Sequence, residues 1–215
     1  MIYVTSGIKG GSGRSTIAEN LTIWLSKKGR DVLLVDADEQ GTVSDFTAWR
    51  EHNLNGEIGY TLVQLVGSNL RKQIEALRPK YSDIIIDTGG RDTTSQRAAL
   101  FVADVALIPF QPRSHDVWTL EKLSEMIDEI QSSRGEPLKV FSFLNRADIT
   151  SADNREAAEA LQSQEGLGFV SHLVKNRKAY PNAASKGLAV FEAEDPDKKA
   201  VAEIDSLFNA IASWE

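Results

Sequence analysis

A doubly wound α/β fold, with a mostly parallel sheet flanked by helices, is predicted by three features of this sequence. Short apolar runs alternate with longer amphipathic stretches. Several of the runs are continuous rather than alternating, as strands covered on both faces require. Glycine or proline punctuates the helical stretches where helices stop or start. The first strand, Ile2–Ser6, leads into a glycine-rich turn and a helix over Arg14–Lys28 that Gly29 ends. Val32–Asp36 and Tyr60–Leu65 are the next strands, and the helix over Leu70–Leu77 stops before Pro79. Ile84–Asp87 and Val105–Phe110 follow as strands, then a helix over Asp116–Ser133 closed by Gly135. Val140–Asn145 is a strand, Asn154–Gln164 a helix ahead of Gly166, and Phe169–Val174 the last strand. The final helix, Lys198–Ala212, comes after Pro196. No repeat or long linker divides the chain, so residues 1–215 are expected to form a single domain with ligands at the carboxyl ends of the strands.

Composition narrows the function. The chain is 41% hydrophobic and 26% charged with no biased tract, which excludes disordered, collagenous and coiled-coil classes. There is no cysteine, so disulfides, thiolate catalysis and thiolate-held zinc or iron–sulfur centres are excluded. No apolar run approaches the ~20 residues of a membrane helix, and no leader pattern follows Met1; a cytoplasmic protein is expected. The 24 Lys and Arg against 31 Asp and Glu give a net charge of −7, which disfavours bulk attraction to nucleic acid or anionic lipid. One stretch differs: between Gly166 and Phe191 there is no acid, while Lys175, Arg177, Lys178 and Lys186 lie there. Such a stretch is either a solvated loop or a basic surface.

The turn after the first strand reads Lys9-Gly10-Gly11-Ser12-Gly13-Arg14-Ser15-Thr16. Its glycines let successive backbone N–H groups face one anion, and the following helix adds its positive end, so the segment is a phosphate cradle. Ser15 stands where a P-loop places its magnesium-binding hydroxyl, with Thr16 beside it, but Ile8 and Arg14 depart from the ordinary G-x-x-x-x-G-K-[ST] pattern. Two further strands end in acid, Asp36-Ala37-Asp38-Glu39-Gln40-Gly41 and Asp87-Thr88-Gly89-Gly90. Carboxylates converging on a phosphate loop need a cation, and Mg²⁺ is the hard, oxygen-seeking choice.

Together these segments resemble the deviant Walker A box and switches of the ParA/MinD family of P-loop ATPases. The resemblance runs through almost the whole chain and implies ATP and Mg²⁺ as ligands. It makes Lys9 the signature lysine that reaches the partner's phosphates in an ATP-bound homodimer. Gly10, Gly11, Ser12, Gly13, Arg14, Ser15 and Thr16 become the nucleotide loop, and Asp38 the carboxylate that orients the attacking water. Asp36 supports the metal, Asp87 holds it through water as the Walker B aspartate, and Thr88-Gly89-Gly90 senses the γ-phosphate. Glu39 stands where the family has proline. Arg14 replaces the loop lysine; a planar guanidinium is not equivalent to a compact ammonium, so binding should survive better than hydrolysis. With its first strand at the start, the chain is similar to the short ParA type, which lacks an N-terminal helix-turn-helix domain.

Asn145, at a strand's carboxyl end, is either a turn residue or the amide that relatives direct at adenine. Lys175, Arg177, Lys178 and Lys186 correspond to the surface with which short ParA proteins bind DNA without sequence preference, with Arg177 alternatively serving the nucleotide or partner. The resemblance thus implies a partition or positioning ATPase that works with a ParB-like or other adaptor and is nucleoid-associated in a bacterium or archaeon. Two rivals remain. A MinD-like membrane switch needs a basic amphipathic C-terminal helix, whereas Ala202–Glu215 carries acids and no Lys or Arg, so a core-packed helix and no membrane partner are expected. A nucleotide-dependent ligase such as dethiobiotin synthetase shares the scaffold but not the signature lysine. His52, His115 and His172 are scattered and read as surface or turn residues.

Overall fold

The computed structural model describes residues 1–90, 93–112, 117–148 and 152–213. In chain order the elements are β1 (Ile2–Thr5), α1 (Arg14–Lys27), β2 (Val32–Ala37), α2 (Thr42–Asn53), β3 (Thr61–Gln64), α3 (Leu70–Leu77) and β4 (Asp83–Thr88). They continue with α4 (Thr94–Val102), β5 (Val105–Phe110), α5 (Val117–Ser132), β6 (Lys139–Ala147), α6 (Ala152–Ser163), β7 (Gly168–Phe169), β8 (Val174–Lys175), α7 (Ala179–Ala184) and α8 (Lys198–Ala212). The sheet order is β3-β2-β4-β1-β5-β6-β7, with β8 also pairing β6, and every pairing is parallel.

The unbroken apolar strands have the expected cause. Ile2 and Val4 point into one layer with α3, α4, α5 and α6, while Tyr3 points into the other with α1 and α8. Ile84 and Ile86 likewise face the first layer and Ile85 the second. α1 is buried along Ile17–Leu25 and forms the inner helix of its layer. α8 lays Ala200, Ile204, Leu207, Phe208 and Ile211 against the same layer. Its N-cap is Asp197, whose carboxylate accepts from the Lys199 and Ala200 amides at 2.9 and 3.2 Å. Its apolar stripe therefore faces the sheet. No helix among the described residues is long and apolar enough to cross a membrane.

The structure departs from the expected elements in two ways. The strand read over Phe169–Val174 is two separate two-residue strands on β6, Gly168–Phe169 and Val174–Lys175. α2, α4 and α7 were not foreseen. In α2 the buried positions are Val43, Phe46, Thr47 and Arg50, a helical period hidden because two of them are polar. In α4 the Thr93 hydroxyl accepts from the Gln96 amide at 3.1 Å, a cap legible as Thr-x-x-Gln, yet the Gln96 side chain turns to Ser6 and Gly7. The expected helix start at Asp116 lies outside the described residues, as does His115.

Candidate functional site

β1, β2, β4 and β6 deliver the phosphate loop, the two acidic segments and Asn145 to the carboxyl ends of the strands, while the basic stretch lies on β8, α7 and their flanks. The loop between β1 and α1 owes its shape to side chains that hold its carbonyls. Arg14 Nη1 donates to the Lys9 carbonyl at 2.6 Å, Arg146 Nη1 to that of Gly11 at 2.7 Å, and Asn145 Nδ2 to that of Ser12 at 2.7 Å. Gly11 and Gly13 adopt positive φ of 82° and 91°, a backbone in which successive N–H groups can face one anion. Gly13 is the N-cap of α1 and supplies no side-chain cap, which leaves the helix's first amides available as well.

Arg14 does more than sit beside the loop. Its Nε donates to the Thr88 carbonyl at 3.0 Å, tying the phosphate loop to the end of β4, and its charge faces Asp87 and Asp38. Burial pulls its pKa down, with the two carboxylates opposing that shift. A loop lysine expected to reach phosphate is thus replaced by a side chain engaged with the protein's own backbone. Gly90 has to be glycine here: a Cβ would lie 2.7 Å from Arg14 Nη2 and 3.0 Å from the Gly10 backbone.

Asp87 is fully buried and accepts from Ser15 Oγ at 2.6 Å and Thr5 Oγ1 at 2.7 Å. Loss of hydration pushes its pKa up to about 6, against the lowering effect of those two hydroxyls and of Arg14. Asp36 pairs with Asp87 across β2 and β4. Its Oδ1 accepts from the Asp38 amide, and its Oδ2 from the amide and hydroxyl of Ser44. Both oxygens are therefore engaged in shaping the turn. Asp38 is partly exposed, accepts from the Gln40 amide at 3.1 Å and packs against Gly89, so the segments after β2 and β4 meet.

The cleft these segments enclose is about 720 Å³ and is lined by Gly10, Arg14, Ser15, Asp38, Gly89 and Gly90, among others. Lys9 is exposed and precedes Gly10 of the lining. The hydroxyl and carboxylate oxygens of Ser15 and Asp87 suit Mg²⁺, and the unfavourable burial of a negative Asp87 is what a cation would relieve. Among the described residues no three acidic or histidine side chains form a metal cage, so a cation here draws further oxygens from phosphate and water. A smaller hollow of about 90 Å³ adjoins the loop at Gly13 and is lined by Thr16, Asn145, Lys175, Arg177, Tyr180 and Pro181. Asn145 thus bridges loop and hollow.

The basic stretch is acid-free in sequence but not in space. Arg177 forms a bidentate pair with Glu203 of α8, at 3.0 and 2.6 Å, with Asp197 at 3.8 Å, and these bonds raise its pKa. Glu203 also accepts from the Lys175 amide. Lys178 and Lys186 remain exposed at the two ends of α7. Ser44, Thr5, Arg146 and Gln96 are site residues that local motifs do not reveal. Only Gln96 carried a signal, through its capping pattern.

Residues 3–190 match the model of the CobQ/CobB/MinD/ParA nucleotide binding domain. The chain belongs to this family. Within the family it is 26% identical over 207 residues to Maintenance of carboxysome distribution protein A of Halothiobacillus neapolitanus, covering 96% of this chain and 94% of that one. Its fold matches a putative plasmid partition protein from Borrelia burgdorferi bound to AMPPNP, with TM-score 0.79, 18% identity, and 100% and 99% of the two chains covered. It also matches Cyanothece McdA in an ATP complex, with TM-score 0.81, 18% identity, and 98% and 96% covered. The expected relationship and the expected parallel-sheet fold are both borne out.

Proposed function

We propose that this protein is an ATP-dependent, dimerising ATPase that binds DNA without sequence preference and positions a plasmid, chromosome region or protein assembly. One observation carries the reading: the loop, with Gly11 and Gly13 at positive φ and its carbonyls at residues 9, 11 and 12 held by Arg14, Arg146 and Asn145, runs into the N-terminus of α1 beside the Ser15–Asp87 pair, the arrangement that suits a polyphosphate with its cation.

In this reading the α1 N-terminus and loop amides bind the phosphates, and Asn145 presents its remaining oxygen to the base in the adjoining hollow. Ser15 and Asp87 hold Mg²⁺, which neutralises phosphate charge when bound. Asp38, fixed in place by Asp36, orients the water that attacks the terminal phosphate. Lys9, exposed ahead of Gly10, reaches the nucleotide of a second copy, so that ATP binding and pairing are one event. Lys178 and Lys186 supply phosphate contacts to DNA, and pairing doubles them. Arg177 belongs to the nucleotide hollow rather than to that surface, because Glu203 balances its charge. An adaptor stimulates hydrolysis and releases the dimer, in the cytoplasm and on the nucleoid. The bond from Arg14 to Thr88 favours slow turnover, since the side chain that should follow the phosphate is held elsewhere.

The test is DNA retention with ATP, with ADP and without nucleotide, at two salt concentrations. Retention specific to ATP and lost at high salt is expected. Retention indifferent to nucleotide overturns the reading.

A further inference from the structure

α1 runs from the phosphate loop to Lys27, and its 14 residues carry its far end about 20 Å from that loop. There, between α1, α8 and the segment preceding α8, lies a groove of about 470 Å³ that the nucleotide reading leaves unused. Phe191, Pro196, Val201 and Ala202 line it together with Lys27, Lys28 and Lys198, and Trp24 lies buried beneath the Lys28 ammonium.

We propose that this groove docks an acidic segment of a partner protein, anchored by one apolar side chain. Charge is the first reason. In a chain of net charge −7 the lining carries three lysines and one acid, Asp205. That acid is already engaged, accepting from Trp24 Nε1 and from the Asn209 amide, both at 2.9 Å. Lys28 places its ammonium 3.2 Å from the centroid of the Trp24 ring, and Lys27 is 3.4 Å from Glu192 at the groove's edge. Lys198 and Lys199 stand in the first turn of α8, next to the Asp197 cap.

The floor decides the class of partner. A nucleic acid backbone needs no apolar floor, and single-stranded bases need an open aromatic face. Trp24 offers none, with Lys28 over its ring and Phe208 packed edge-on at 5.6 Å. A membrane needs an outward apolar ridge, whereas the apolar stripe of α8 is buried against the sheet. A concave apolar floor ringed by lysine matches a peptide that brings an apolar anchor and flanking carboxylates. This site is independent of the nucleotide cleft.

The experiment uses the intact chain and a pool of labelled twelve-residue peptides, with Asp or Glu at most positions and Phe, Leu, Ile or Trp at the others. Binding is read by anisotropy and located by hydrogen exchange. Retained peptides should protect amides around residues 24–28 and 196–205, with or without ATP. K28E and K198E, both at exposed positions, should weaken binding by about tenfold or more, as should replacing the apolar residues by serine. Circular dichroism checks that the variants fold. The proposal is overturned if no peptide binds, if protection falls elsewhere, or if charge reversal changes nothing. It is equally overturned if K28E and K198E abolish retention by anionic-lipid vesicles or duplex DNA while the peptides stay unbound. Loss of nucleotide binding in a separate assay would sink the ATPase reading and leave this one standing.

Discussion

Arg14 sits at the junction of the phosphate loop, β4 and two carboxylates, and its guanidinium is held by the carbonyls of Lys9 and Thr88. Arg14 makes these bonds from two nitrogens of a rigid plane, whereas a lysine carries one compact ammonium on a flexible stem that can turn to a phosphate. Arg14→Lys should therefore raise ATP turnover by about tenfold, or ~1.4 kcal/mol of barrier, with little change in nucleotide affinity. An unchanged rate in a steady-state phosphate-release assay would show that the guanidinium already serves. Asp38 is placed by Asp36 at the mouth of the cleft, and Asp38→Ala should lower turnover by about 10²-fold while an ATP-bound dimer persists in light scattering. Disappearance of the dimer would remove the water-orienting role.

Two buried acids make stability depend on pH at the same scale. Burial raises the pKa of Asp87 to about 6, and burial beside Asp87 raises that of Glu19 well above the usual carboxylate range. A carboxyl whose pKa is raised by folding holds its proton in the native state after the unfolded chain has released it. Stability therefore falls as pH climbs from the unfolded pKa toward the folded one, by on the order of 3 kcal/mol for a two-unit shift. For Asp87 this window runs from about pH 4 to 6 in magnesium-free protein. Glu19→Gln removes its share of the penalty and should stabilise the protein more at pH 8 than at pH 4. Equal shifts of the urea midpoint at both values would contradict this.

At the scale of elements, α2 is fastened by its one buried cation. Arg50 donates to the carbonyls of Ile58 and Gly187 and makes a bidentate pair with Glu192 at 2.7 and 3.1 Å. This joins α2 to the segment that precedes α8. Arg50→Ala leaves Glu192 buried beside the weaker Lys27 contact and should cost about 3–5 kcal/mol in urea denaturation. A loss below 1 kcal/mol would mean that water already shares the site. The same pair explains why α2 is hard to read from its residues. Its period is present at Val43, Phe46, Thr47 and Arg50, but the arginine is tolerable inside only because its partner lies 142 positions later. The expected strand at Phe169–Val174 breaks for a related reason. β6 accepts pairing at Phe141 and Ser142 and again at Asn145 and Ala147, where its register shifts at Arg146, which adopts a positive φ of 54°.

At the scale of the whole molecule, the strands place Lys9, Asp38 and the loop at their carboxyl ends, where a second copy can meet them. Lys9→Ala should leave a folded monomer that no longer pairs when ATP analogue is added. A mass in solution that still doubles would refute the trans role of that lysine. The groove beside Lys28 and Lys198 lies at the end of α1 opposite the phosphate loop.

The order of strands and helices, the phosphate loop and the acids at the ends of β2 and β4 were written locally. Each rests on neighbours within a few residues, such as an apolar run, a glycine that permits positive φ, or a strand end. What turns those motifs into a site is long-range. Arg14 binds Thr88, Arg146 and Asn145 hold the loop across 135 and 133 positions, and Glu203 balances Arg177. Hydrogen bonds and charges act through space, and only the folded sheet sets the distances over which these groups meet.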